Sequence, residues 1–131
     1  MPDYPEDLKY SADHEWVRSG NGSTVRVGIT EYAADQLGDI VFVSLPSVGE
    51  SVAPGDACGE LESTKSVSDV FCPVAGTIAA VNELLEGSPE TINADPYGAG
   101  WLVDISVHGE GGDPIGQLLD ADAYQAVVDA S

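Results

Sequence analysis

The chain has 131 residues, 43% of them hydrophobic, and this composition predicts one globular domain rather than a disordered chain. Lys and Arg number 4 while Asp and Glu number 23, so the formal net charge is −19. This balance argues against binding to nucleic acid or to an anionic membrane surface, because cations are needed for both. Apolar runs such as Ile40–Val43 are far shorter than the roughly 20 residues of a membrane span.

The compartment and the state of the two cysteines are predicted together. The first seven residues contain neither a cationic segment nor an apolar core, which a secretory signal requires. We therefore expect a cytoplasmic protein, in which Cys58 and Cys72 are thiols. Their spacing fits neither a zinc knuckle nor a Cys-x-x-Cys redox motif. Strand register decides whether they face each other, and we favour two small core residues over a disulfide or a metal pair.

Alternating apolar positions and β-branched residues dominate the chain and predict mainly strands. In chain order, the pattern predicts a strand over 24–29, a helix over 31–37 capped by Thr30 and ended by Gly38, and strands over 40–45 and around 51–52. Further strands are predicted over 57–61, 70–72, 76–81 and 100–107, with a loop over 82–96. A C-terminal helix is predicted over 113–130, with Asp113 as its cap. Short strands separated by turns indicate a β-sandwich or small barrel with peripheral helices.

Lys65 is the only Lys or Arg residue between Arg26 and the C-terminus. It lies in a polar run between two predicted strands, and therefore at or near a hairpin tip. The neighbours Glu60, Glu62 and Asp69 favour its charged form, whereas a Schiff-base lysine needs a desolvated site or a cationic neighbour. Lys65 is thus better placed to be acylated by another enzyme than to act as a Schiff-base catalyst. The alternative is a lysine that only adds solubility.

No other motif predicts a catalytic or metal site. His14 and Glu15 precede a strand, but a zincin would need a second histidine where Arg18 stands. The chain contains no nucleophile elbow, Walker loop or Rossmann fingerprint. Its carboxylates are too many and too scattered to assign an acid–base pair, and they favour a negative surface that steers partners.

Five segments together carry a specific resemblance to a known family. They are His14-Glu15-Trp16-Val17, Val27-Gly28-Ile29-Thr30, Leu37-Gly38-Asp39-Ile40-Val41-Phe42-Val43, Glu62-Ser63-Thr64-Lys65-Ser66-Val67-Ser68-Asp69 and Asp95-Pro96-Tyr97-Gly98-Ala99-Gly100-Trp101-Leu102. On these segments, the chain resembles the glycine cleavage H-proteins, which are lipoyl carriers, over nearly its whole length. The combination of the lysine segment with the Pro-Tyr-Gly-Ala-Gly-Trp segment is highly specific.

The resemblance implies a barrel-sandwich hybrid, the fold of lipoyl and biotinyl domains. It implies a single domain over 1–131, with a lipoyl-type core over about 24–107 and a helical tail over about 113–130. Lipoate would be joined by an amide to Lys65 Nζ. The carrier would catalyse nothing itself: its arm takes an aminomethyl group from a pyridoxal-phosphate glycine decarboxylase to a tetrahydrofolate-dependent aminomethyltransferase. Dihydrolipoamide dehydrogenase would reoxidise the arm, and lipoate-attaching enzymes would load it.

The resemblance also implies a cleft that shelters the loaded arm near Glu15 and Asp69. Carboxylates there would hold the terminal ammonium group and keep out water, which would otherwise release formaldehyde. Asp13 adds a carboxylate where some relatives have a neutral serine, so the charge balance of the cleft is expected to differ here.

Other carriers and other protein classes predict different features around the lysine. Biotinyl domains flank the target lysine with methionines, whereas Thr64 and Ser66 flank Lys65. Lipoyl domains of acyltransferases commonly carry Asp-Lys-Ala at the tip and are fused to a large catalytic domain. A relay protein that donates lipoyl groups to other enzymes shares the scaffold and is the alternative function. An unrecognised hydrolase or transferase would keep its turnover without Lys65, and a plain interaction module would bind partners without it.

Overall fold

A computed structural model of the chain describes residues 8–11, 14–19, 24–53, 55–107 and 118–130. Within these ranges, nine strands and four helices are present. The strands are β1 (Lys9–Tyr10), β2 (Glu15–Ser19), β3 (Thr24–Ile29), β4 (Ile40–Ser44), β5 (Ser51–Val52), β6 (Ala57–Ser63), β7 (Val67–Phe71), β8 (Gly76–Val81) and β9 (Val103–Val107). The helices are α1 (Glu31–Leu37), α2 (Leu84–Gly87), α3 (Thr91–Ala94) and α4 (Ala121–Asp129).

Two antiparallel sheets form the body of the molecule. The larger has six strands in the order β1-β2-β3-β9-β8-β5, and the smaller has three in the order β4-β6-β7. Alternating apolar residues of both sheets, such as Val27 and Ile105 in one and Leu61 and Val70 in the other, share a single buried core. The mainly β fold class with peripheral helices is thereby confirmed. No helix of the described ranges is long and apolar enough to cross a membrane.

The two cysteines belong to this core. Cys58 and Cys72 are both buried, and neither is in a disulfide, which confirms that they are small core residues. A register shift between Ala57 and Gly59 places Cys58 in an irregular part of β6. A hydrogen bond to the Cys72 side chain, and then burial, raises the pKa of Cys58. The thiol therefore stays protonated and is a poor nucleophile.

A second cluster joins the two ends of the chain. Leu8, Tyr10 and Trp16 from the N-terminal strands pack against Ala121 and Tyr124 of α4. The rings of Tyr10 and Tyr124 are stacked with their centroids 4.7 Å apart. The C-terminal helix is thus held against β1 and β2.

The helix predicted over 113–130 is corrected at its start. Leu119 pairs with Tyr10 in an isolated β-bridge, with both backbone hydrogen bonds at 2.8 Å. This pairing prevents a helical backbone there, so α4 begins only at Ala121, after Asp120 caps it through the backbone N–H of Ala123. The predicted cap, Asp113, lies outside the described residues.

Other element boundaries also differ from the predictions. Glu15 lies within β2 rather than before a strand, and strands β6 and β7 extend towards each other as far as Ser63 and Val67. The predicted loop over 82–96 contains the short helices α2 and α3, and the strand predicted from residue 100 begins at Val103. Helix α1 is confirmed, with Thr30 as its N-cap.

A glycine in β8 offers a direct test of the sheet register. A Cβ at Gly76 would collide with the carbonyl oxygen of Ser106 and come within 2.7 Å of Ile105 Cγ2, whereas one at Gly87 would meet open space. Because β9 cannot move away without losing its pairing with β8, we expect Gly76→Ala to lower the free energy of unfolding by about 1–3 kcal/mol. Gly87→Ala should leave it within about 0.5 kcal/mol. Urea denaturation of both variants measures this, and equal effects would contradict the register.

Candidate functional site

Lys65 lies exposed at the tip of the β6–β7 hairpin, where the sequence predicted it. One buried side chain, that of Ser63, holds the tip. Its backbone N–H donates to the carbonyl of Ser66 at 2.8 Å, and its hydroxyl accepts from the N–H groups of Lys65 and Ser66, both at 3.1 Å. The hydroxyl also donates to the Ser66 carbonyl at 3.1 Å. The backbone of the tip is therefore fixed, while the Lys65 residue itself is exposed.

The turn after α1 supports the tip from below. The N–H of Thr64 donates to the carbonyl of Asp39 at 3.2 Å. The Lys65 stem lies over Gly38, and a Cβ added at this glycine would be only 3.3 Å from Lys65 Cε. Gly38 has φ of +84° and ψ of −159°, a backbone region that is essentially restricted to glycine. Asn93 of α3 donates to the Gly38 carbonyl at 2.9 Å and fixes this turn.

A cleft of about 290 Å³ begins beside this turn. One of its walls is helix α1, from which Leu37 directly precedes Gly38, and the facing wall is formed by β6 and β7. The lining residues are His14, Glu15, Ile29, Tyr32, Ala33, Gln36, Leu37, Leu61, Ser68, Asp69 and Val70. Leu37 of the cleft wall therefore directly precedes Gly38, over which the Lys65 stem lies.

Glu15 supplies a buried carboxylate to the cleft. It is only 2% exposed, and both of its carboxylate oxygens have donors. Oε1 accepts from the hydroxyl of Ser11 at 2.8 Å, and Oε2 accepts from the backbone N–H of Phe71 at 3.2 Å. These bonds stabilise a polar group that would otherwise be costly to bury, and they join β2 to the smaller sheet. The position of the carboxylate is therefore set by the fold.

Of the other two carboxylates singled out from the sequence, Asp69 also lines this cleft and is exposed on β7. Glu15 and Asp69 are thus brought to one cleft from strands far apart in sequence. Asp13 lies outside the described residues.

His14 is a cleft residue that the sequence did not identify. It is a non-glycine residue with φ of +70°, and its Nδ1 is hydrogen-bonded to the Tyr124 hydroxyl at 2.8 Å. That hydroxyl is also hydrogen-bonded to Thr30 Oγ1 at 2.7 Å. The C-terminal helix therefore fixes one wall of the cleft. No local pattern signals this contact, because the two side chains are 110 residues apart in sequence.

The two arginines are committed to structural contacts, unlike Lys65. Arg26 donates to both carboxylate oxygens of Asp104, at 2.8 and 3.1 Å, and this hydrogen bonding raises the pKa of Arg26. Its guanidinium carbon also lies 4.0 Å from the centroid of the Trp101 ring. Arg18 donates to the carbonyl of Tyr97 at 2.9 Å. Among the described residues, no cluster of three or more metal-ligating side chains is present.

The hydroxyl of Ser63 should control the order of the tip. Ser63→Ala removes the acceptor of two backbone N–H groups, so we expect faster hydrogen exchange at the amides of Lys65 and Ser66 and a loss of about 1 kcal/mol in unfolding free energy. The matched control is Ser68→Ala, because the Ser68 hydroxyl makes only a 3.5 Å contact with the Asp69 carbonyl. Unchanged exchange in Ser63→Ala would show that this hydroxyl does not hold the tip.

Comparison with known proteins identifies the family of the chain. The profile of the glycine cleavage H-protein family matches residues 8–131. A glycine cleavage system H protein of Mycolicibacterium smegmatis is 58% identical over 129 residues, which is 98% of each chain. One of Mycobacterium leprae is 54% identical over 130 residues, again 98% of each chain.

A solved structure extends the similarity to the fold. The crystal structure of a glycine cleavage system H protein from Mycobacterium marinum has a TM-score of 0.85 and 46% sequence identity, and the match covers 96% of this chain and 99% of that one. The fold class implied by the resemblance, a barrel-sandwich hybrid, is therefore confirmed. The chain belongs to the glycine cleavage H-protein family.

Proposed function

We propose that the chain is a non-catalytic lipoyl carrier of the glycine cleavage system in the cytoplasm, acylated on Lys65 Nζ. The observation that carries this proposal is the exposed Lys65 residue on a fixed tip, with its stem over Gly38, which directly follows Leu37 of a cleft that contains a buried carboxylate. Family membership supports the same assignment. Lipoate supplies a disulfide whose reduced sulfur can carry an aminomethyl group between enzymes.

The residues around Lys65 fit a lipoyl arm. The Lys65 stem lies over Gly38, where the absence of a side chain leaves room for it. Beyond this point, the cleft walls include the apolar side chains of Leu37, Ala33 and Leu61, which suit a hydrocarbon chain. The volume of about 290 Å³ lies at the small end of ligand pockets. The cleft therefore suits one flexible arm rather than a bulky free substrate.

The carboxylates of the cleft suit the amine that ends a loaded arm. Glu15 is held in place by Ser11 and Phe71, so no reorganisation is needed when an ammonium group approaches. Asp69 stands at the exposed side of the same cleft. Attraction between opposite charges is stronger in a partly buried site than in water. Together, the two carboxylates would retain the ammonium and limit access of water.

The tether and the surface charge suit repeated visits to several enzymes. A group held on an arm reaches a partner's active site at a high effective concentration without being released. We propose that the partners are a pyridoxal-phosphate glycine decarboxylase, a tetrahydrofolate-dependent aminomethyltransferase, dihydrolipoamide dehydrogenase and the lipoate-attaching enzymes. The net charge of −19 would draw the carrier to basic patches around their active sites.

Replacement of the arm's anchor tests the proposal. Lys65→Arg keeps a positive charge but cannot be acylated, so we expect loss of lipoylation and of glycine–bicarbonate exchange with the purified partner enzymes. Because the side chain is exposed, the unfolding free energy should change by less than about 0.5 kcal/mol. Lys9→Arg changes the only other lysine and should leave both activities intact.

The outcomes of this experiment separate the functions. Exchange that survives Lys65→Arg would contradict the proposal. Lipoylation of the parent chain at Lys65 without any exchange would favour the relay function over the glycine cleavage role.

The role of Asp69 is tested by the lifetime of the loaded arm. Asp69→Asn removes one charge from the cleft, so we expect severalfold faster release of formaldehyde from the aminomethyl-loaded carrier. Glu60→Gln is the matched control, because Glu60 pairs with Asp69 across the strands but does not line this cleft. Release can be followed by trapping formaldehyde at several ionic strengths. Equal rates in the two variants would show that Asp69 does not protect the arm.

A further inference from the structure

The outer face of the smaller sheet carries exposed apolar side chains next to the lysine tip. Phe42 of β4, Glu62 of β6 and Val67 of β7 are direct cross-strand neighbours in a single row. Phe42 and Val67 are each 56% exposed, and Val41 is 49% exposed. Val67 is two residues from Lys65. We call the surface formed by Val41, Phe42 and Val67 the tip face.

An irregularity in β4 creates this surface. The register shifts between Ile40 and Phe42, so Ile40 and Val43 are buried while both residues between them are exposed. In a regular strand, one of Val41 and Phe42 would point into the core. Single exposed apolar residues are common on proteins, whereas a contiguous exposed apolar patch marks an interaction site. The bulge therefore exposes one more apolar side chain than a regular strand would.

The charges around the tip face define the chemistry of a partner. Glu62 stands between Phe42 and Val67, and the next row on the same face contains the exposed carboxylates of Glu60 and Asp69. A complementary surface has an apolar recess for the aromatic ring and a rim of Lys or Arg side chains.

We propose that the tip face is the docking surface for the enzyme that acylates Lys65, which binds it through such a basic-rimmed apolar recess. The inference rests on the proposed attachment of lipoate to Lys65. An acylating enzyme must bring Lys65 Nζ into its own active site, so it has to contact the residues beside the tip.

The acyl donor for this step is an acyl adenylate, which is made from lipoate and ATP. The amide bond forms between Lys65 Nζ and the acyl carbon, and the acyl–phosphate bond breaks with its electron pair leaving on AMP. The ammonium group gives up two protons in total, one before the attack and one after it. The docked sheet face would hold Nζ in place during this step.

The test is the dependence of the acylation rate on carrier concentration, with a purified lipoate–protein ligase, ATP and lipoate. Phe42→Ser should raise the KM for the carrier at least about tenfold while kcat changes less than about twofold, because the contact forms on docking. Leu84→Ser is the matched control, since Leu84 is 51% exposed on α2, outside the tip face. Its KM should equal that of the parent chain.

A second variant keeps the docking surface testable if Phe42→Ser lowers the stability of the fold. Val67→Thr keeps the size of an exposed side chain and should raise KM severalfold with an unchanged thermal unfolding midpoint. Unchanged KM in both variants would overturn the docking surface while leaving lipoylation at Lys65 intact. Sedimentation that shows a dimer of the parent chain and a monomer of Phe42→Ser would instead assign the face to a second copy. A parent chain that is never acylated at Lys65 would overturn the proposed function itself.

Discussion

The fixed backbone beneath Lys65 is the constraint on which the site depends. The Ser63 hydroxyl closes the hairpin tip, and the glycine-only conformation of Gly38 lets the lysine stem lie against the turn after α1. Asn93 holds that turn from another helix. A carrier needs a long mobile arm, but the arm can deliver its group to a partner only when its attachment point, or root, is held in a fixed position. Rigidity at the root and freedom beyond it are therefore complementary properties of one structure.

The same geometry connects the lysine tip with the cleft. Helix α1 lines the cleft and ends at the turn beneath Lys65, and Glu15 is held in the wall by donors from two different segments. His14 is fixed to the C-terminal helix through Tyr124, so even the last element of the chain shapes this wall. In the proposed function, the chain supplies shelter, charge and position, and the partner enzymes supply the chemistry.

Sequence patterns predicted the features that depend on local residues and missed those that depend on contacts between distant segments. Alternation and caps predicted strand β3 and helix α1, and the isolation of Lys65 among acidic residues pointed to the tip. The start of α4 was missed because Leu119 pairs with Tyr10, far away in sequence. The outward bulge at Val41 and the hydrogen bond between His14 and Tyr124 depend on register and on tertiary packing, which no single-segment pattern contains.

Peptide mapping of the chain purified from its native source shows whether Lys65 is the anchor of a lipoyl arm. We expect the peptide that contains Lys65 to carry the mass of one lipoyl group, and the peptide that contains Lys9 to be unmodified. Three results would rule out a lipoyl arm on Lys65: a biotinyl mass on Lys65, modification confined to Lys9, or a Lys65 that is unmodified in every sample.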